Sequence, residues 1–107
     1  MPQPLLTKSI SFAGTGDNTV IPSQSNGKIS IWRLVMTAAG TTAVIIKDGS
    51  TALTGAMTIT TNQPVTLADG ADVSPFFGPL GLGNAFVINQ SGSVQISGVV
   101  EYTIQAY

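Results

Sequence analysis

The sequence predicts an all-β protein: a single antiparallel β-sandwich of jelly-roll type with about eight strands. Three observations carry that expectation. Apolar and polar residues alternate with period two along most of the 107 residues, as in strands with one buried face. Turn dipeptides at Asn26-Gly27, Asp48-Gly49, Asp69-Gly70 and Ser91-Gly92 separate the alternating runs, and their glycines permit positive φ. No stretch sustains the 3.6-residue apolar period of a helix.

The elements follow in chain order. Residues 1–7 read as an extended N-terminal arm, because Pro2 and Pro4 disfavour both ladder and helix and leave Leu5 and Leu6 as an apolar tip. Residues 8–107 form the sandwich domain, with no linker dividing them. Ile10 and Phe12 alternate with Ser9 and Ser11. Ile29 to Met36 is apolar on both faces apart from Ser30 and Arg33, as expected of a strand buried between layers or at a subunit contact. Thr42, Val44 and Ile46 alternate with Ala43, Ile45 and Lys47, and Lys47-Asp48-Gly49-Ser50 then reads as a hairpin turn. Leu53, Met57 and Ile59 alternate with Thr54, Thr58 and Thr60, with Gly55 as a bulge candidate. Val65 with Leu67 and Phe86 with Ile88 mark two short strands.

The clearest strand covers 93–106. Val94, Ile96, Gly98, Val100, Tyr102, Ile104 and Ala106 share one face, and the other face is polar apart from Val99. Gly98 in its middle implies a bulge or a close backbone approach. The expected core sets Val94, Ile96, Val100, Tyr102 and Ile104 against Val44, Ile46, Ile59, Phe86 and Ile88. The apolar segment 73–83, broken by Gly and Pro, falls outside the strand pattern.

Composition narrows the chemistry. The chain is 43% apolar, enough to fold, but only 8% charged, against about 25% in an average globular protein. Its polarity comes from 10 Ser, 13 Thr and 11 Asn or Gln. Surface scaling gives about 5,600 Å² for a folded chain of this mass, which allows a core without disulfide or metal staples. Without Cys or His, thiolate, zinc-finger and imidazole mechanisms are excluded. Lys8, Lys28, Arg33 and Lys47 against five carboxylates leave a net charge of −1. So few cations cannot neutralise the roughly six to ten phosphates of a typical nucleic-acid footprint, nor anchor the chain on acidic lipid. Neither nucleic acid nor membrane is an expected partner. Met1 to Lys8 lacks the charged and apolar regions of a signal peptide, and no apolar run is long enough to span a bilayer.

Few motifs carry chemistry. Ser25-Asn26-Gly27-Lys28 has S-x-x-K spacing, but that mechanism needs a helix and here a turn leads into a strand. Asp69 and Asp72 supply two carboxylates without calcium-loop spacing. Asn89-Gln90-Ser91 is an N-x-S match, of a kind expected by chance at this Asn, Ser and Thr content. Gly78, Gly81 and Gly83 lack the lysine and helix of a phosphate loop. Trp32 with Tyr102 or Tyr107 offers a sugar-stacking platform, although Trp32 lies within an apolar strand and is expected to pack in a core or interface. Phe76-Phe77 reads either as a lid on one end of the sandwich or as a subunit contact. No catalytic, cofactor-binding or metal site is expected; the candidate interface residues are Leu5, Leu6, Trp32, Phe76, Phe77 and Leu80.

One ordered set of segments resembles a known group. Gly27-Lys28-Ile29-Ser30-Ile31 leads through Ala38-Ala39-Gly40 to Lys47-Asp48-Gly49-Ser50 and Leu53-Thr54-Gly55-Ala56-Met57, then to Pro75-Phe76 and to Val94-Gln95-Ile96-Ser97-Gly98 with Tyr102. Over residues 25–104 this order resembles the small β-sandwich structural proteins of tailed bacteriophages, among them head decoration (cement) proteins. The resemblance implies a non-enzymatic homotrimer, made in the host cytoplasm, that sits on the capsid surface of the virion and holds to the major capsid protein. The sparse charge suits a symmetric array in which like-charged copies would repel. Alternatives are a phage tail or fibre attachment domain and a carbohydrate-binding β-sandwich module.

Overall fold

The computed structural model describes residues 5–68 and 75–106. Among them the alternating runs form nine strands: β1 (Leu6–Phe12), β2 (Gly16–Ile21), β3 (Gly27–Ala38), β4 (Thr42–Asp48), β5 (Thr51–Ala52), β6 (Met57–Ile59), β7 (Val65–Ala68), β8 (Phe86–Gln90) and β9 (Ile96–Ala106). One sheet has the order β1-β9-β3-β7. In the other, β2-β8-β4 is completed by β5 and β6, which both pair with β4.

The ladders nest. β4 pairs with β5 and β6, β3 with β7, β2 with β8, and β1 with β9, all antiparallel. The chain is thus one long hairpin ribbon folded back at Gly49, whose φ of 60° the tight turn between Asp48 and Thr51 requires. Rolling that ribbon brings β9 against β3 and β8 against β4. This is the jelly-roll sandwich that the alternation predicts. Its exposed surface of 5484 Å² matches the size-scaling expectation.

The inward face is the expected one. Ile96, Val100, Val44, Ile46, Ile59, Phe86 and Ile88 are buried, and Val94, Tyr102 and Ile104 pack partly exposed against them. Four details differ from the sequence reading. β9 starts at Ile96, not at 93. The run around Gly55 splits into the two short strands β5 and β6. β2 is an additional edge strand with few apolar residues, and a bulge between Thr19 and Ile21 lets the consecutive Val20 and Ile21 both reach the core. β1 starts at Leu6, paired with Tyr102, so Leu6 and Thr7 of the expected arm belong to the ladder; residues 1–4 lie outside the described residues.

β3 is not buried on both faces. Ile29 and Ile31 point inward, then Leu34, Met36 and Ala38 do. The pairing with β9 jumps from Ile31↔Tyr102 to Arg33↔Glu101, so Trp32 is the extra residue of a bulge. One inserted residue reverses the inside-outside phase, which explains why the segment is apolar at both parities.

Gly98 marks a close approach and not a bulge. It pairs in register with Ile10 on one side and Met36 on the other. A Cβ there would collide with the Val35 carbonyl oxygen and lie 2.8 Å from the Met36 Cα. Backbone cannot yield as a side chain does, so Gly98→Ala is expected to cost about 4 kcal/mol or more. Gly55, with nothing within 4 Å and no positive φ, is the control; alanine there leaves stability unchanged or raises it by about 0.4–1 kcal/mol. Urea midpoints of the two variants check the contrast.

Candidate functional site

The polar side chains of the interior serve the fold. Gln90 on β8 points inward and is fully buried. Its Nε2 donates to the Gly14 carbonyl at 3.1 Å and to the Val94 carbonyl at 3.0 Å. Its Oε1 accepts from the buried Thr42 hydroxyl at 3.1 Å, whose oxygen accepts in turn from the Gly92 N–H. One amide thus ties together the β1–β2 connection, the β8–β9 connection and β4. Loops crossing the end of a sandwich carry carbonyls without ladder partners, and a buried donor satisfies them.

Asp48 does the same at the hairpin turn. Its carboxylate accepts from the Gly81 N–H at 3.1–3.2 Å and from Asn84 Nδ2 at 2.9 Å. The glycine-rich segment is thereby a tethered crossing and not a phosphate cradle. Across β2, β8 and β4, Asp17 accepts from Asn89 Nδ2 at 2.8 Å and from Lys47 Nζ at 3.0 Å. Those hydrogen bonds, Asn89 first and then Lys47, hold the Asp17 carboxyl below its usual range.

The weaker motifs resolve as structure. Ser25 and Asn26 form the turn before β3, where Gly27 N–H donates to the Gln24 carbonyl at 3.2 Å. Asn89 of the N-x-S match is engaged by Asp17. Asp69, Asp72 and Tyr107 lie outside the described residues. Among the described residues no group of three or more acidic, His or Cys side chains could hold a metal ion.

The candidate interface residues separate into four groups. Leu80 belongs to the core: it is 2% exposed, and its N–H donates to the Ile29 carbonyl, so no partner can reach it without unfolding this corner. Phe77 forms a two-hydrogen-bond bridge to Ile31 and packs partly buried on the core, with Phe76 edge-on to it at 4.8 Å. That segment pairs along the edge of β3 where β7 stops short. The exposed members are Leu5 (55%), Leu6 (37%) and Phe76 (40%). Trp32 stands apart, half-buried on the outer face of the first sheet, whereas Tyr102 faces inward and cannot share a platform with it.

Sequence reading missed Gln90 and Thr42, because a polar residue at an inward strand position has no local signature. It also missed exposed Leu82 (54%), Leu53 (38%) and Val99 (42%) as surface features. No family model, curated protein or solved structure matches the chain.

Gln90→Leu keeps the volume and removes both donors to the part-buried Gly14 and Val94 carbonyls together with the acceptor of the buried Thr42 hydroxyl. The expected cost is about 2–4 kcal/mol, a fall of roughly 8 °C or more in melting temperature. Thermal denaturation followed by circular dichroism measures it.

Proposed function

We propose that the chain is a non-enzymatic virion structural protein of a tailed bacteriophage, a head decoration protein that braces the capsid shell as a homotrimer on the major capsid protein. The observation that carries this reading is the exposed leucine pair at the start of edge strand β1. Leu5 and Leu6 are 55% and 37% exposed, and β1 is the outermost strand of its sheet. An edge strand led by apolar residues is the surface that strand addition or groove docking onto a neighbouring chain uses. Burying what remains exposed of both leucines contributes roughly 1.5–3 kcal/mol per copy before the cost of ordering the segment.

Three further features support the reading. The jelly-roll topology is one that capsid proteins use. The surface draws its polarity from Ser and Thr, with only 8% charged residues overall, so copies pack side by side without strong repulsion. Gln90, Asp48 and Asp17 are each committed to holding the fold.

Replacing Leu5 and Leu6 with Ser is expected to weaken association with the particle at least tenfold while the melting temperature of the free protein stays unchanged. Sedimentation of the free protein and electron microscopy of labelled particles measure the two halves. A wild-type protein that is monomeric at micromolar concentration and absent from the capsid surface contradicts the proposal.

A further inference from the structure

The bulge in β3 does more than shift the strand's phase. Ile31 and Leu34 on either side of it are fully buried, so both intervening side chains, Trp32 and Arg33, leave the sheet on its outer face. Bulges re-aim side chains in this way, often beside binding sites. Here the result is an aromatic ring and a guanidinium side by side on a face otherwise rich in Ser and Thr.

The surroundings complete a recognisable set of groups. The indole Nε1 donates to the Thr103 hydroxyl at 3.0 Å. Thr103 sits on β9 opposite Ser30, so the indole leans across the ladder toward β9, and Trp32 remains half-buried on this face. Glu101 is directly opposite Arg33, with Nε to Oε1 at 3.6 Å and side-chain exposures of 50% for Arg33 and 29% for Glu101. That distance exceeds a hydrogen bond, so donors of the guanidinium and acceptors of the carboxylate stay available to a ligand. Val35 and Val99 continue the strip along the same two strands, and the Ile31–Phe77 bridge places the exposed Phe76 opposite Trp32.

Charge and polarity select the ligand class. The arginine and glutamate cancel, so the strip holds no net attraction for phosphate or for acidic groups. A purely apolar partner would strip water from the ion pair without replacing its hydrogen bonds. A ring that is apolar on one face and carries hydroxyls around its rim satisfies both requirements. We propose that this outer face binds a neutral saccharide: the indole stacks on the C–H face of a pyranose, Arg33 donates to one of its hydroxyls and Glu101 accepts from a neighbouring one. From Thr103 to Val99 the strip runs about 13 Å along β9, the scale of a short oligosaccharide. It borders the leucine pair: Thr7, next to Leu6, pairs with Glu101 on β9, so β1 lies about 5 Å beyond β9 and about 10 Å from β3. The site's aromatic and charged groups, Trp32, Arg33 and Glu101, are distinct from the leucines of the assembly role proposed above.

Trp32 is the single tryptophan of the chain, so its fluorescence reports on this site alone. The full chain is titrated with cello-, malto- and chito-oligosaccharides and screened on an array of neutral and acidic glycans. The expected result is a saturable change in emission with at least one neutral oligosaccharide, weakened at least tenfold in Arg33→Ala and Glu101→Gln, whose side chains lie outside the core. Trp32→Ala, read on the array, is expected to lose the same ligand. No saturable response to any neutral glycan at millimolar concentration overturns the proposal, as does binding confined to acidic glycans or unaffected by the Arg33 and Glu101 variants. A change in the sedimentation of free Trp32→Ala protein also overturns it, since the indole would then belong to a contact between copies.

Discussion

The ladder between β3 and β9 is the interaction on which the rest of the structure depends. These are the two longest strands, 12 and 11 residues, and they pair from Gly27↔Ala106 to Ala38↔Ile96. They lie far apart in sequence, and their meeting is the step that turns a long hairpin into a closed roll. Everything else in the first sheet hangs on them, with β1 on the outer edge of β9 and β7 on the outer edge of β3. At Gly98 the backbone of Val35 and Met36 fills the space any side chain would need. The same row carries Ile10 and Met36 into the core on either side. A residue that contributes no contact surface therefore governs the closure of the fold.

The bulge at Trp32 is the complementary constraint on that ladder. It interrupts the pairing once, at the cost of regular hydrogen bonding, and reverses which residues face the core. Without it, either Ile29 and Ile31 or Leu34 and Met36 would face solvent. With it, all four are buried and the displaced pair, Trp32 and Arg33, moves to the outer surface. Packing and surface chemistry are thus coupled through one inserted residue. At the two ends of the sandwich the same logic appears in polar form, where Gln90 and Asp48 supply partners to loop groups that have left the ladders.

Much of this was legible in the sequence because period-two alternation is a strong signal when one face is wet. Ile96, Val100 and Gly98 fall where the 93–106 pattern puts them, and the Asp48-Gly49 turn closes the hairpin it implies. The failures share one cause, which is that the deciding partner lies far away in sequence. Nothing around Trp32 announces an extra residue in the ladder, so the doubly apolar run reads as a strand buried between layers or at a subunit contact, and the bulge accounts for it without a second layer. Leu80 sits in a Gly-Pro segment with no strand pattern and is buried only because that segment runs alongside Ile29. Gln90 reads as a surface residue until loops from Gly14 and Val94 converge on it. Leu5 and Leu6 are exposed, as an apolar tip would be, but Leu6 already belongs to the β1 ladder and not to a free arm.

The primacy of the β3–β9 ladder is open to direct measurement by native-state hydrogen exchange. Exchange is limited by whichever opening is cheapest, so amides in the last structure to open exchange only through global unfolding. The account predicts that the slowest amides are those hydrogen-bonded between Leu34–Met36 and Gly98–Val100, with an opening free energy equal to the unfolding free energy from urea titration. If those amides exchange by a cheaper local opening while the β4–β8 ladder stays protected, the roll does not depend on this seam.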